Sequence, residues 1–196
     1  PPRLVPMVRP SLAGTRAARE RSFDTTAEIA VDAEGARREG IALHALLQHL
    51  GRIDRAEWEP VAQRALQVLL PDATDRHQPL CTKAISLLTR PELAPLFGTN
   101  SRAEVPFLAN AWRDGSPIQL VGRIDRLVVE PERVLVVDYK SDHGASIDPA
   151  AVPKSYLTQL GLYALVATQL FPTHRVEAVI LWTSLERLIE LPRDLL

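Results

Sequence analysis

The spacing of hydrophobic residues changes once along the chain, near residue 100. Before that point, apolar residues recur three or four positions apart, so that Leu43, Leu46 and Leu47 share one helical face. The helices predicted from this period cover residues 40–50, 56–70, 79–89 and 91–97. The first part of the chain, residues 36–98, is therefore predicted to be helical.

After residue 100, the apolar residues gather in short runs rich in Val, Leu and Ile, which is typical of buried strands. The strands predicted from these runs cover residues 103–109, 119–130, 133–140, 176–183 and 187–191. One helix is predicted between them, over residues 153–170, with a proline at its first position. This order predicts an α/β fold, with a mixed central sheet flanked by helices and preceded by a helical segment.

Residues 1–35 differ from the rest in composition. Four prolines occupy the first ten positions, and five arginines face a single glutamate up to residue 21. This composition predicts a basic, proline-containing linker or arm, with a merely solvated tail as the alternative. The domain proper is then residues 36–196, with its α/β core over 101–196. A chain that begins Pro-Pro is expected to be part of a longer protein.

The charge and the cysteine content of the chain exclude several classes of protein and of metal site. The 196 residues carry 23 Lys and Arg against 24 Asp and Glu, a net charge of -1, which excludes a globally basic nucleic-acid binder but not a local basic patch. The single cysteine, Cys81, excludes a disulfide framework, a four-cysteine zinc site or an iron–sulfur cluster within this chain. No apolar run reaches the ~18 residues of a membrane span, and we predict a cytoplasmic protein.

Two aspartates interrupt the apolar strands on either side of a predicted turn. If the hairpin is centred between Pro131 and Glu132, paired residues have numbers that sum to 263. Asp125 then lies opposite Asp138, with Cβ atoms ~4.5–5.5 Å apart. Two carboxylates so close repel each other unless a cation lies between them, and hard oxygen ligands favour Mg²⁺ or Mn²⁺. A salt-bridged cluster that stabilises the hairpin is the alternative.

A lysine adds to this pair. Side chains alternate along a strand, so Lys140 shares a face with Asp138, whereas Tyr139 points away. Two carboxylates and an ammonium group are the functional groups that metal-assisted phosphodiester hydrolysis uses. Asp125, Asp138 and Lys140 are therefore the candidate catalytic residues. In the same register Arg123 lies opposite Lys140. Two neighbouring cations repel each other unless an anion lies nearby, so this pair favours a site for the phosphates of a DNA backbone.

Three motifs occur in a fixed order around these residues. They are Gly122-Arg-Ile-Asp-Arg-Leu127, Asp138-Tyr-Lys-Ser141, and Gln159 followed four positions later by Tyr163. Together they resemble the RecB-type branch of the PD-(D/E)xK nuclease family, over about residues 36–191. The resemblance implies a metal-dependent DNA exonuclease or endonuclease, with Asp138 and Lys140 as its D-x-K pair.

The resemblance also implies further site residues. The metal-binding histidine of this family follows a glycine on a helix, and His44 after Gly40 matches it, so the implied metal ligands are His44, Asp125 and Asp138. Read by itself, a histidine on the apolar side of a helix is more often a hydrogen-bonded core residue than a ligand, and only the resemblance favours His44 as a ligand. The strand that carries Glu104 is similar to the first core strand of the family. Glu104 is either an extra acidic ligand or the partner of a neighbouring arginine.

The helix over 153–170 carries the last candidates. Gln159 and Tyr163 are four residues apart and share one helix face, on which Tyr156 also falls. The resemblance favours these three residues, with Arg123, as DNA-binding or supporting groups. A polar pair packed against the sheet is the alternative for Gln159 and Tyr163.

Within this branch, the chain is similar to the C-terminal nuclease domain of the AddA subunit of bacterial AddAB helicase–nucleases. This likeness implies Mg²⁺-dependent cleavage of single-stranded DNA, delivered by a helicase motor during double-strand break repair and recombination. The implied partners are helicase domains of the same full-length chain and an AddB-type subunit. The alternatives are a catalytically silent module for DNA binding or subunit docking, and a metal phosphatase.

Overall fold

The structure is a computed structural model that describes residues 6–10, 27–141 and 145–196, without the side chains of 27–33. Most of the predicted linker lies outside these ranges, and that interpretation stays a prediction. The chain divides into two units, Phe23–Ser101 on the one hand and Arg102–Leu196 with Pro1–Ser22 on the other. Among the described helices, none has the length and apolarity to cross a membrane.

The first unit is helical, as the hydrophobic spacing predicts. Its helices are α1 (Ala27–Leu50), α2 (Trp58–Leu69), α3 (His77–Thr89) and α4 (Ala94–Phe97). Helix α1 contacts both α2 and α3, and the leucines of its predicted stripe are buried. It begins before the predicted boundary at residue 36, because Ala, Glu and Arg favour a helix even where no apolar stripe marks it.

The second unit contains the sheet. Its strands are β1 (Met7–Val8), β2 (Ser101–Arg113), β3 (Ser116–Val129), β4 (Arg133–Lys140), β5 (Arg175–Trp182) and β6 (Arg187–Leu191), and its helix is α5 (Lys154–Leu170). The order β1-β3-β4-β5-β6 is mixed, with β2 also paired to β3. Strands β4 and β5 are parallel, and α5 connects them. The predicted fold class, an α/β core with a mixed central sheet, is confirmed.

Strand β2 is longer than the predicted strand 103–109. It continues to a tight turn at Asp114 and Gly115, whose φ angles of 51° and 74° are both positive. Positive φ at both central residues is what a type I′ hairpin turn requires, and Asp-Gly is a favoured pair for it. The turn joins β2 to β3 and so brings Glu104 into the same sheet as Asp125.

Helix α5 covers one face of the sheet and forms the core of this unit. Its side chains Leu160 and Val166 pack with strand residues such as Val136 and Ile180, all at most 1% exposed. At one end of this core, Phe107 approaches Gly122 so closely that an added Cβ would lie 2.9 Å from the ring. Any larger residue there, at the start of the GRIDRL motif, would force the Phe107 ring to shift.

The N-terminal segment contributes the short strand β1. Met7 and Val8 pair in parallel with Gln119 and Leu120 of β3, and the Gln119 N–H donates to the Pro6 carbonyl at 2.9 Å. Strand β4 pairs with the other end of β3. Strand β3 therefore carries the candidate site between two separate pairing regions.

Candidate active site

The β3–β4 hairpin has the predicted register. Paired positions run from Val129–Val134 to Arg126–Val137, and in each pair the residue numbers sum to 263. The pairing stops at Arg126. The predicted pair Asp125–Asp138 is the next position, so it lies just beyond the paired region, as does the predicted pair Arg123–Lys140.

The pairing of β3 with β4 ends where the alternation of inward-facing and outward-facing side chains along β3 shifts. Its residues in the core are Leu120 and Ile124 before the shift, but Leu127 after it, so the inward positions change from even to odd. A one-residue change of this kind is what a β-bulge produces. Asp125 lies at the shift, and one of its carboxylate oxygens accepts the backbone N–H of Tyr139 at 2.8 Å. At this position the Asp125 carboxylate, rather than a main-chain carbonyl of β3, thus accepts the hydrogen bond from β4.

Burial makes the charge of Asp125 costly. Desolvation raises its pKa from 3.8 to about 6, against the opposing effects of the Tyr139 hydrogen bond and the Lys140 ammonium. Glu104 adds to the increase, because carboxylate oxygens of the two residues lie within 4.8 Å of each other. Two acids so placed favour a bound cation, which would compensate both charges.

This raised pKa predicts a specific effect of Asp125→Asn. The folded metal-free protein holds the Asp125 proton more tightly than the unfolded chain, so its stability falls as the pH rises from about 4 to 6 and stays lower above that. We therefore expect Asp125→Asn to increase the free energy of unfolding at pH 7.5 in EDTA, by at most about 3 kcal/mol. Near pH 4 the difference should vanish. Urea denaturation at the two pH values measures both.

The exposed turn residue offers a control for this prediction. Asp114→Asn makes the same chemical change where the side chain is 94% exposed, and it should leave the pH dependence of stability unchanged. A metal-free Asp125→Asn protein less stable than the unmodified chain at pH 7.5 would contradict the argument.

Asp138, Lys140 and Gln159 form one connected polar cluster. Asp138 is 1% exposed, and one of its oxygens lies 2.6 Å from the Lys140 ammonium. Its other oxygen accepts a hydrogen bond from the Gln159 amide nitrogen at 3.0 Å, while the Gln159 amide oxygen accepts one from Lys140 at 3.1 Å. Both ends of the amide are used, so Gln159 fixes the carboxylate and the ammonium relative to each other.

Tyr163 completes this cluster from the next turn of α5. The Gln159 amide nitrogen also donates to the Tyr163 hydroxyl at 2.9 Å. The Tyr163 ring packs edge-on against Phe107, with ring centres 5.6 Å apart, and burial raises the pKa of its hydroxyl. Tyr163 thus holds the amide of Gln159 from within the core.

The opposite face of the hairpin has a different role. Tyr139 points away from Asp138 and Lys140, as the alternation predicts, and its hydroxyl accepts a hydrogen bond from the buried Arg126 guanidinium. Burial raises the pKa of Tyr139, so the phenol stays protonated. This pair stabilises the hairpin.

Glu104 and Arg123 lie together at the edge of the cluster. The Arg123 guanidinium donates to a Glu104 carboxylate oxygen at 3.2 Å, and the arginine side chain is 62% exposed. Glu104 also has a φ of 53°, a conformation that residues other than glycine rarely adopt and that occurs preferentially at functional sites. Its pairing with Arg123 is one of the two predicted interpretations, and its role as an acidic ligand stays a prediction.

Two aromatic residues flank Lys140. The ammonium lies 4.5 Å from the centre of the Tyr156 ring, and that ring is 6.2 Å from the indole of Trp182. Trp182 is paired with Lys140 in the β4–β5 register and is fully buried. The sequence does not predict that Trp182 lies beside Lys140, because the two residues are far apart in the chain. Only the parallel pairing of β4 and β5 brings them together.

The structure thus gathers Asp138, Lys140, Gln159, Tyr156 and Tyr163 around one end of β4. Asp125, Glu104 and Arg123 lie along β2 and β3 of the same unit. His44 lies half-buried on α1 of the helical unit. The assignment of His44 as a metal ligand, like the roles of the other residues, stays a prediction.

A comparison with known protein families shows which family the chain belongs to. The model of the PD-(D/E)XK nuclease superfamily matches residues 16–189. The chain belongs to this superfamily. The matched range includes strands β2 to β4, Lys140 and the Gln159–Tyr163 helix, so the cluster at the end of β4 lies within the matched residues.

Two curated relatives are similar in sequence to this chain. Each is the A subunit of the ATP-dependent helicase/nuclease of Desulfitobacterium hafniense, from strains DSM 10664 / DCB-2 and Y51, and each is 30% identical over 175 residues. The match covers 79% of this chain but 13% of each relative. Among solved structures, the crystal structure of SSO0001 aligns with a TM-score of 0.34 and 20% identity, over 76% of this chain and 74% of that one.

Proposed function

We propose that this domain is a metal-dependent deoxyribonuclease that hydrolyses phosphodiester bonds of single-stranded DNA. The observation that carries the proposal is the connected cluster of Asp138, Lys140 and Gln159, with Asp125 nearby on the adjacent strand. Membership of the nuclease superfamily supports the same chemistry.

The acidic residues suit a divalent cation. Asp125 and Asp138 are carboxylates held in a buried or half-buried position, where an uncompensated charge is costly, as the raised pKa of Asp125 indicates. Oxygen donors of this kind favour Mg²⁺, with Mn²⁺ as a substitute. We assign Asp125 and Asp138 as ligands, Glu104 as a possible extra acid, and His44 as a further ligand on the sequence motif alone.

Lys140 and Gln159 act on the reaction from the protein side. A divalent cation held by these carboxylates would supply Lewis acidity to a water molecule and to the scissile phosphate. The Lys140 ammonium can orient a nucleophile or offset the negative charge that develops on the phosphate. Gln159 holds this ammonium beside Asp138 through both ends of its amide. Arg123, which is exposed at the edge of the cluster, is proposed as a DNA backbone contact.

The similarity to helicase/nuclease subunits suggests the setting of this activity. The chain spans about 13% of the length of these relatives. We propose that the domain works in the bacterial cytoplasm beside helicase domains of a longer chain and an AddB-type subunit. There it would cut the single strand that the motor delivers during double-strand break repair and recombination.

The test is cleavage by the 196-residue chain. We expect it to cut a labelled single-stranded oligonucleotide in Mg²⁺ or Mn²⁺, with no products in EDTA and recovery when metal is added back. A phosphomonoester substrate should remain intact, which separates a nuclease from a phosphatase. Absence of cleavage in both metals, together with no heat of Mn²⁺ binding in calorimetry, would overturn the proposal and favour a silent DNA-binding or docking module.

A further inference from the structure

Three groups hold the lysine of the cluster in place. Its ammonium lies 2.6 Å from an Asp138 carboxylate oxygen and donates a hydrogen bond to the Gln159 amide oxygen at 3.1 Å. The Tyr156 ring lies on a third side, 4.5 Å from the nitrogen. Lysine side chains lose much conformational entropy when they are fixed, so three separate contacts indicate that the orientation of this one matters.

The geometry of the Tyr156 contact is that of a cation–π interaction. A cation within about 6 Å of an aromatic ring centre is attracted by the negative face of the ring, more strongly where water is excluded. The Lys140 side chain is 16% exposed, so water screens this attraction only in part. The ring therefore stabilises the ammonium in the position from which it reaches Asp138 and Gln159.

The surroundings of Tyr156 fix it in this place. Its backbone N–H donates to the Pro153 carbonyl at 2.9 Å, in the first turn of α5. Its ring packs against Trp182, which is 0% exposed and lies beside Lys140 in the sheet. The Lys140 carbonyl accepts the backbone N–H of Thr183 at 2.8 Å, so the residue that follows β5 also holds the main chain of the lysine.

We propose that Tyr156 is a positioning residue for Lys140, with Trp182 as its rigid support, and does not serve as a DNA contact. The proposal rests on the nuclease function proposed above. It assigns to Tyr156 an effect on the chemical step, because the lysine acts there. A residue that contacts DNA would instead change the affinity for the substrate.

The test compares Tyr156→Phe, which keeps the aromatic face, with Tyr156→Leu, which removes it. We expect Tyr156→Leu to lower kcat about tenfold on a labelled single-stranded oligonucleotide, with KM and the Mn²⁺ affinity unchanged. Tyr156→Phe should restore kcat to within about twofold of the unmodified chain. Three results would each overturn the proposal: an unchanged kcat in Tyr156→Leu, an increase confined to KM, or an equal loss in both variants.

A second measurement needs no activity. The chain has three lysines, Lys83, Lys140 and Lys154, so selective lysine labelling gives few NMR signals. The methylene protons next to the Lys140 ammonium should show the upfield shift of a proton above an aromatic ring. We expect this shift in the unmodified chain and in Tyr156→Phe, and its loss in Tyr156→Leu, with the other two lysines as internal controls. If the shift is present but no variant cuts DNA, the nuclease function fails and the contact stands; if the unmodified chain cuts but lacks the shift, this inference fails.

Discussion

Asp138→Asn is expected to abolish cleavage of single-stranded DNA and to weaken Mn²⁺ binding, without unfolding the domain. The substitution keeps the size of the side chain, and its amide oxygen can still accept the hydrogen bond from Gln159. It removes the charge that would hold a cation, and a bound metal supplies several kcal/mol of transition-state stabilisation. A decrease in kcat of about a thousandfold or more is therefore expected. Steady-state cleavage, calorimetric Mn²⁺ titration and circular dichroism measure the three effects.

Asp194→Asn is a matched control for this result. Asp194 is exposed near the end of the chain, and the same change there should leave cleavage and Mn²⁺ binding as they are. Cleavage by Asp138→Asn at the rate of the unmodified chain would show that the buried aspartate is not part of the reaction.

Lys140→Met separates the two parts of the cluster. We expect this variant to lose cleavage by about a hundredfold or more, which is the usual contribution of a positioned acid, base or charged group. Mn²⁺ binding should be retained or increased, since Asp138 loses a competing cation at 2.6 Å. Single-turnover cleavage and calorimetry on the same preparation measure the two outcomes.

The stability of this variant needs its own check. An uncompensated buried carboxylate costs several kcal/mol, so metal-free Lys140→Met should unfold at lower urea concentration. Lys140→Arg keeps a cation beside Asp138 and should fold normally, yet cut slowly, because a planar guanidinium cannot take the position of the ammonium. Lys154→Met, at an exposed position of α5, is the control. Loss of Mn²⁺ binding in Lys140→Arg would argue against separate roles for the lysine and the carboxylates.

Much of the sheet could be predicted because strand spacing and turns are local features. The Pro131–Glu132 turn fixes the hairpin register, and the sum of 263 holds for each paired position. The extension of β2 also had a local signal, the Asp114–Gly115 pair, which the run of apolar residues alone does not mark. The start of α1 could not be predicted from periodicity, because the apolar residues of its first turns are mostly alanines, and Ile29 and Val31 are two positions apart rather than three or four.

The site itself depends on contacts that no local pattern contains. The shift in β3 at Asp125 depends on how β3 packs in the core, and the strand pattern does not reveal it. The sequence alone therefore predicts that the pairing of β3 with β4 continues unchanged to Asp125 and Asp138. The spacing of Gln159 and Tyr163 predicts that they share a helix face. That the Gln159 amide reaches Lys140 and Asp138, 19 and 21 residues earlier in the chain, depends on how α5 lies on the sheet.

The pairing of Met7 and Val8 with β3 has a consequence for protein handling. An exposed strand edge carries unpaired N–H and C=O groups and is a template for association with another chain. Within the described residues, β1 occupies this position beside Gln119 and Leu120, in the same strand as Asp125. A fragment that starts after residue 10 would open that edge, and its first defect would be self-association rather than loss of chemistry.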